Sequence, residues 1–148
     1  MRPPAPRLRP RRHRPHSALA RASGGPVEPV LTTTLFIETG VGADQHGQDA
    51  TKACVRACRN AIEFNSIPCL ESVIPGGKAN LKLAVKIGTP FPATVDLERV
   101  AAVFPYGRMA AIEVAEGGLN CRSGIVLEEL GDANDDFLIA VAAVTVGY

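Results

Sequence analysis

Several common functional signatures are missing from this 148-residue sequence. Its longest apolar run, at residues 137–144, has eight residues, whereas a membrane helix needs about 20. No two of its four cysteines have Cys-x-x-Cys spacing, which disfavours a zinc ribbon or a thioredoxin-like redox site. The G-x-S-x-G of serine hydrolases, the Gly-Lys-Ser/Thr of a P-loop and the calcium loop of an EF-hand are absent as well. We therefore expect no metal centre and no membrane association, and no cofactor is indicated.

Acidic residues are missing from the first part of the chain and outnumber basic residues in the rest. Residues 1–27 contain seven arginines and no acidic residue, whereas residues 28–148 hold fifteen acidic residues against nine basic ones, a net charge of −6. An Arg-rich, acid-free N-terminus is typical of an organelle transit peptide, and its prolines favour a plastid, with a mitochondrion as the alternative. A basic tail that binds RNA or an acidic surface stays open. The acidic body disfavours nucleic acid and anionic lipid as partners.

The remaining residues, 28–148, are predicted to form a single α+β domain. Alternating apolar residues predict strands at 31–37, 80–88 and 109–116, and helical spacing predicts helices at 49–65 and 96–103. A shorter strand is expected at 69–74, and a hairpin is expected between 125–130 and 137–146. Up to residue 116 this order is the split β-α-β-β-α-β arrangement of ferredoxin-like domains, with two helices on one face of the sheet.

The last predicted strand indicates a partner. Its apolar side chains point to both sides of the sheet, so both sides need cover. Two short helices cover one side, and we therefore predict a homo-oligomer in which another copy covers the second. The alternative is that the loop at 117–124 closes this side. Cys54 and Cys58, one helical turn apart among alanines, are predicted to be buried between helix and sheet.

The glycine-rich turn at 40–47, between the first strand and the first helix, is the predicted functional site. It holds His46, the only histidine outside the leader, and imidazole can move protons near neutral pH. We predict His46 and Asp44 as catalytic residues, with Asp44 orienting the ring; a histidine bonded only within its own turn is the alternative. The spacing is G-x-G-x-x-x-x-G, which differs from a dinucleotide-binding loop. The predicted ligand-binding residues are Gly40, Gly42, Gly47, Gln48, Lys52, Arg56 and Glu113.

From about residue 35 to its end the chain resembles a small family, the Lin-type conserved hypothetical proteins. The resemblance is carried by IETGVGADQHGQ at 37–48, TKA at 51–53, RA at 56–57, PGG at 75–77, GTP at 88–90 and AAVTVGY at 142–148. The family has no established activity, so the resemblance implies a domain and no reaction. The leader lies outside the family pattern.

Two functions of different classes remain open. The first is a small oligomeric protein that binds, and possibly transforms, a polar small molecule at the 40–47 turn, with His46 as the proton-transfer group. The second is a non-catalytic structural or regulatory assembly protein, in which the same turn only sets the geometry between strand and helix. Whether the protein is an enzyme is not decided by the sequence.

Overall fold

The structure of residues 29–148 is described by a computed structural model. The predicted transit peptide and linker, residues 1–27, lie outside this range. Within the range, no helix combines the length and the apolar character that crossing a bilayer requires.

The described chain contains five strands and three helices. The strands are β1 (Thr34–Asp44), β2 (Lys82–Thr89), β3 (Arg108–Glu116), β4 (Leu119–Arg122) and β5 (Asp136–Gly147). The helices are α1 (Ala50–Ile62), α2 (Leu70–Val73) and α3 (Leu97–Ala101). Short 3-10 turns lie at Lys78–Asn80, Pro92–Thr94 and Glu128–Leu130.

All five strands belong to one sheet, in the order β1-β5-β2-β3. β5 is antiparallel to β1 and to β2, whereas β2 and β3 are parallel and are connected through α3. The short β4 pairs with the beginning of β5, next to residues 136–139. The mixed α+β class predicted from the sequence is confirmed.

The hydrophobic core lies between the sheet and α1. Alternate residues of β2 and β5 are buried on this side, as strand periodicity requires. α1 contributes small side chains, so that it packs close to the sheet. Cys54 and Cys58, which were predicted to be buried here, and the neighbouring Ala57 and Ala61 are all at most 3% exposed.

The segment 69–74, predicted as a strand, forms the short helix α2. The strand that follows this segment, β2, already has β5 on one side and β3 on the other. The segment therefore cannot pair with β2 as the predicted hairpin would require. Its backbone groups are instead bonded locally, with Val73 N donating to Cys69 O and Ile74 N to Leu70 O. The chain order therefore becomes β-α-α-β-α-β-β-β, with helices still packed against one side of a sheet.

Two further boundaries differ from the sequence prediction. The strand predicted at 31–37 begins at Thr34 and continues to Asp44, through the glycines that were expected to form a turn. The partner of β5 in the last hairpin is β4 at Leu119–Arg122, and residues 125–130 are irregular apart from one 3-10 turn. β4 thus extends the sheet, so part of the 117–124 segment, which was the alternative cover for the second side, is itself a strand of that sheet.

Candidate functional site

The turn between β1 and α1 is short because its ends are fixed by two aspartates. Asp49 is the N-cap of α1, and its Oδ1 accepts a hydrogen bond from Lys52 N at 3.0 Å. Its own backbone N–H donates to Asp44 Oδ2 at 3.0 Å. Only residues 45–49 therefore lie between the strand and the helix, and they carry His46, Gly47 and Gln48.

Asp44 is a buried carboxylate that is neutralised by two cations of α1. Its side chain is 1% exposed, and its Oδ1 lies 2.8 Å from Lys52 Nζ and 2.9 Å from Arg56 Nη1. Lys52 and Arg56 are four residues apart, so both project from the same face of α1. The structure thus brings three of the predicted site residues together. Their charges are used to join the end of β1 to the first two turns of α1.

Gly40 and Gly42 have a packing role on the side of the sheet that faces α1. A Cβ at Gly42 would lie 2.2 Å from Ala57 N, and a Cβ at Gly40 would lie 2.3 Å from Ala57 O. These glycines let the helix backbone approach the strand closely. The space that a ligand would need at these positions on that side is occupied by α1.

His46 is bonded to an aspartate that the sequence analysis did not select. Its Nδ1 lies 2.8 Å from Asp132 Oδ2, and the His46 side chain is 29% exposed. Asp44 was the predicted partner, but the hydrogen bonds of Asp44 go to Asp49, Lys52 and Arg56 instead. The prediction that Asp44 orients His46 is therefore wrong, because both carboxylate oxygens of Asp44 bond to other groups and the His46 ring meets Asp132 instead.

Asp132 is held ionised by its surroundings. The hydrogen bond from His46 and the backbone N–H groups of Leu127 and Gly47 hold the pKa of Asp132 well below its usual range. An ionised carboxylate only accepts hydrogen bonds, so the proton between the two side chains belongs to His46 Nδ1. In the neutral ring Nε2 then carries the lone pair, and among residues 29–148 it has no hydrogen-bond partner.

Gln48 joins the turn to the loop that carries Asp132. Its side-chain Nε2 lies 3.2 Å from Gln45 O and 3.2 Å from Asp132 Oδ1, and its Oε1 accepts from Ala133 N at 2.9 Å. Gln48 has φ of 45°, in the left-handed region that non-glycine residues seldom adopt. Gly47, with φ of 86°, donates its N–H to Asp132 Oδ1 at 2.7 Å. This set of contacts fixes the position of the His46 ring.

Glu113 is not part of this arrangement. It lies on β3, three strands away from β1 in the sheet, and its Oε1 is 2.9 Å from Lys86 Nζ. Both side chains are more than 60% exposed, as in a surface ion pair of small energetic weight. Among the described residues no three His, Cys, Asp or Glu side chains are grouped as a metal site would require.

Two hollows lie away from His46. One, of about 330 Å³, is between the C-terminal end of α1, α2 and the beginning of β1, and it includes Glu38 and Tyr106. The other lies on the side of the sheet opposite to α1 and includes Val41, Lys86 and Val141. His46 and Asp44 line neither of them.

The profile of one protein family, described as conserved hypothetical protein (Lin0512_fam), matches residues 34–146. The chain belongs to this family. The resemblance seen in the sequence is thereby confirmed, and the matched residues include every strand boundary of the sheet except Gly147. No curated protein matches the chain.

A solved structure similar to this chain is that of an FtsZ-like protein of unknown function from Nostoc punctiforme. The two sequences are 42% identical, and the match covers 77% of this chain and 93% of the other, with a TM-score of 0.70. The two proteins therefore share a fold as well as sequence similarity. Neither the family nor this neighbour has an assigned activity, so the function has to be inferred from the site.

Asp132 and Gln48 differ in how far the sequence could identify them. Gln48 lies in the glycine-rich motif and was selected for that reason. Asp132 lies in an acidic stretch that reads as an ordinary turn, and its importance comes from a contact with a residue 86 positions earlier. No local pattern marks such a residue.

Proposed function

We propose that this protein binds a polar small molecule beside the 45–48 turn and that His46 transfers a proton to or from it. One observation carries the proposal: the 2.8 Å contact between His46 Nδ1 and Asp132 Oδ2, with the His46 side chain 29% exposed. A carboxylate that fixes the tautomer and orientation of an imidazole is the arrangement that general acid–base catalysis uses.

The chemistry available to His46 follows from the direction of its hydrogen bond. With Nδ1–H donated to Asp132, a ligand that reaches the ring meets Nε2 as a base. When Nε2 takes up a proton, the fixed negative charge of Asp132 stabilises the imidazolium that forms. Gly47 and Gln48 bond to Asp132 and so help to hold it beside the ring. The His46 side chain then has to move little when it gains or loses a proton.

The proposal is tested with the full chain and a panel of polar metabolites in a thermal-shift assay. His46→Asn is the informative variant, because the Asn amide can still donate to Asp132 while the basic nitrogen is lost. Glu113→Gln is the matched control, since Glu113 lies on β3, three strands away from β1 in the sheet. We expect a stabilising compound whose effect is lost in His46→Asn and kept in Glu113→Gln. A panel in which no shift depends on His46 would refute the proposal.

A second candidate function, assembly, is favoured by the side of the sheet that α1 does not cover. We call it the outer face, and within residues 29–148 no helix packs on it. Its apolar side chains are exposed: Ile37 by 59%, Val41 by 56%, Val141 by 43% and Leu119 by 60%. Adjacent exposed apolar residues of this kind are typical of protein–protein contacts. A second copy of the chain is the partner we propose for the outer face, with the turn then serving only to fix strand and helix.

Light scattering coupled to size-exclusion chromatography tests this candidate. The variant Val41→Lys places a charge in the middle of the outer face, and Phe64→Lys is its control, because Phe64 is 83% exposed but lies beyond the C-terminal end of α1. An oligomer that dissociates only in Val41→Lys supports the candidate. A wild-type protein that is monomeric at micromolar concentration, or an oligomer unaffected by Val41→Lys, contradicts it.

A further inference from the structure

The hollow next to Glu38 has features of a ligand site that are independent of His46. Glu38 and Asp44 project from the same side of β1 and are six residues apart, a distance of about 20 Å along a strand. The hollow opens where the chain leaves α1 and forms α2. Its volume of about 330 Å³ lies in the range of small-molecule sites, roughly 300–1,000 Å³.

The walls of this hollow are mainly apolar. Its floor is formed by Leu81 and Val146, each 2% exposed. Two aromatic rings, Phe36 and Tyr106, and the aliphatic side chain of Leu70 complete the apolar lining. A ligand that fills the space would therefore bury an apolar body of its own.

Glu38 is the acidic group of this lining. Burial beside apolar side chains raises the pKa of Glu38, and a hydrogen bond from Asn65 opposes this effect only in part. Within residues 29–148 no lysine or arginine forms an ion pair with Glu38. The lysine in the same lining, Lys78, has its backbone N–H bonded to Glu71 Oε2, and it lies in an exposed position.

We propose that this hollow binds an organic ammonium compound with an apolar, ring-sized body. The ammonium group would pair with the Glu38 carboxylate. It would supply the positive charge that Glu38 lacks in its partly desolvated position. The faces of Tyr106 and Phe36 also attract a cation. A neutral or anionic compound of the same shape would bring no positive charge to Glu38 and would bind more weakly.

Phenethylamine is the probe, and phenethyl alcohol and phenylacetate are its neutral and anionic counterparts. Binding to the full chain is followed by two-dimensional NMR titration. We expect phenethylamine to shift the resonances of Phe36, Leu70, Leu81 and Tyr106, and to bind tenfold or more tightly than the alcohol, as a charge-assisted hydrogen bond allows. Equal binding of the amine and the alcohol, or shifts confined to other residues, would refute the inference.

Two variants assign the effect to Glu38. Glu38→Gln keeps the size of the side chain and should weaken phenethylamine about tenfold to a hundredfold while leaving the alcohol unchanged. Glu113→Gln removes an exposed carboxylate elsewhere and should change neither. His46→Asn should also leave phenethylamine binding intact, so this inference and the proposed proton transfer can fail separately. An amine affinity that is the same in Glu38→Gln as in wild type rules out the assigned contact.

Discussion

His46 and Asp132 are 86 residues apart in the chain, and their side chains are 2.8 Å apart in the structure. This contact joins the turn after β1 to the loop before β5. The same carboxylate accepts hydrogen bonds from three further groups, the backbone N–H groups of Gly47 and Leu127 and the side chain of Gln48. Asp132 therefore organises two loops at once, and its loss should affect both stability and the position of His46.

The first prediction concerns the acid stability conferred by Asp132. Because its folded-state pKa is lowered, the ionised form stabilises the fold above the unfolded-state pKa, near 3.8, and this contribution is lost as the pH falls through the folded-state value. Asp132→Asn should be less stable than wild type at pH 7, and the difference should shrink below pH 4. Thermal unfolding at a series of pH values measures it. A difference that does not change with pH would contradict the assigned ionisation.

The second prediction concerns Glu38, whose pKa is raised on folding, whereas that of Asp132 is lowered. Burial raises its folded-state pKa above the usual value of about 4.5 for a glutamate side chain, so the protonated form is favoured by folding. This stabilisation is present below about pH 4.5 and is lost as the pH rises through the folded-state value. Glu38→Gln should therefore be at least as stable as wild type at pH 7 and should gain relative to it as the pH rises from 4 to 7. Urea titrations at both pH values provide the comparison, and a variant that loses stability over this range would show that Glu38 is stabilised as an anion.

The third prediction concerns the close approach of α1 to β1. Gly42→Ala introduces a Cβ 2.2 Å from Ala57 N and 2.3 Å from Ala53 O, both backbone atoms that cannot move without shifting the helix. We expect the free energy of unfolding to fall by at least about 3 kcal/mol. The control is Gly124→Ala, which meets no atom within 4 Å and has φ of 72°; its cost should be about 1 kcal/mol. Similar costs for the two variants, measured by urea denaturation, would show that the packing is not tight.

The fourth prediction concerns thiol reactivity. Burial raises the pKa of Cys58 to about 12 and also raises the pKa of Cys54, and only the thiolate reacts with disulfide reagents. In native protein at pH 8, Cys69 and Cys121, which are exposed, should react at once, whereas the other two should react only after unfolding. Cys69→Ser should lower the fast fraction by one thiol per chain. Four fast thiols in the native protein would contradict the burial of Cys54 and Cys58 between α1 and the sheet.

Much of the fold is readable from local patterns. The alternation of Leu83, Val85 and Ile87 identifies β2 because strand residues alternate between buried and exposed sides. The N-caps Asp49 and Asp96 identify the beginnings of α1 and α3 because capping is a contact over two or three residues. Where the prediction fails, at 69–74 and 125–130, the outcome depends on which positions of the sheet are already occupied.

The candidate site is only partly readable. The motif at 37–48 directs attention to His46 and Gln48, but the spacing along the chain does not reveal which carboxylate each side chain meets. Asp44 follows Gly42 along a strand and projects toward α1, so it pairs with Lys52 and Arg56. Asp132 reaches His46 because β5 returns antiparallel to β1 and brings residue 138 next to residue 44.

The amino-acid sequence by itself determined the class of fold, most of the helices and strands, the small-residue face of α1 and the family. These features arise from contacts between residues close together in the chain or from side-chain size and polarity. Only the tertiary structure decided that Asp132 orients His46, that β4 extends the sheet and that Glu38 lies in an apolar hollow. These depend on pairings between distant segments, which form because strand order and helix packing bring those segments together.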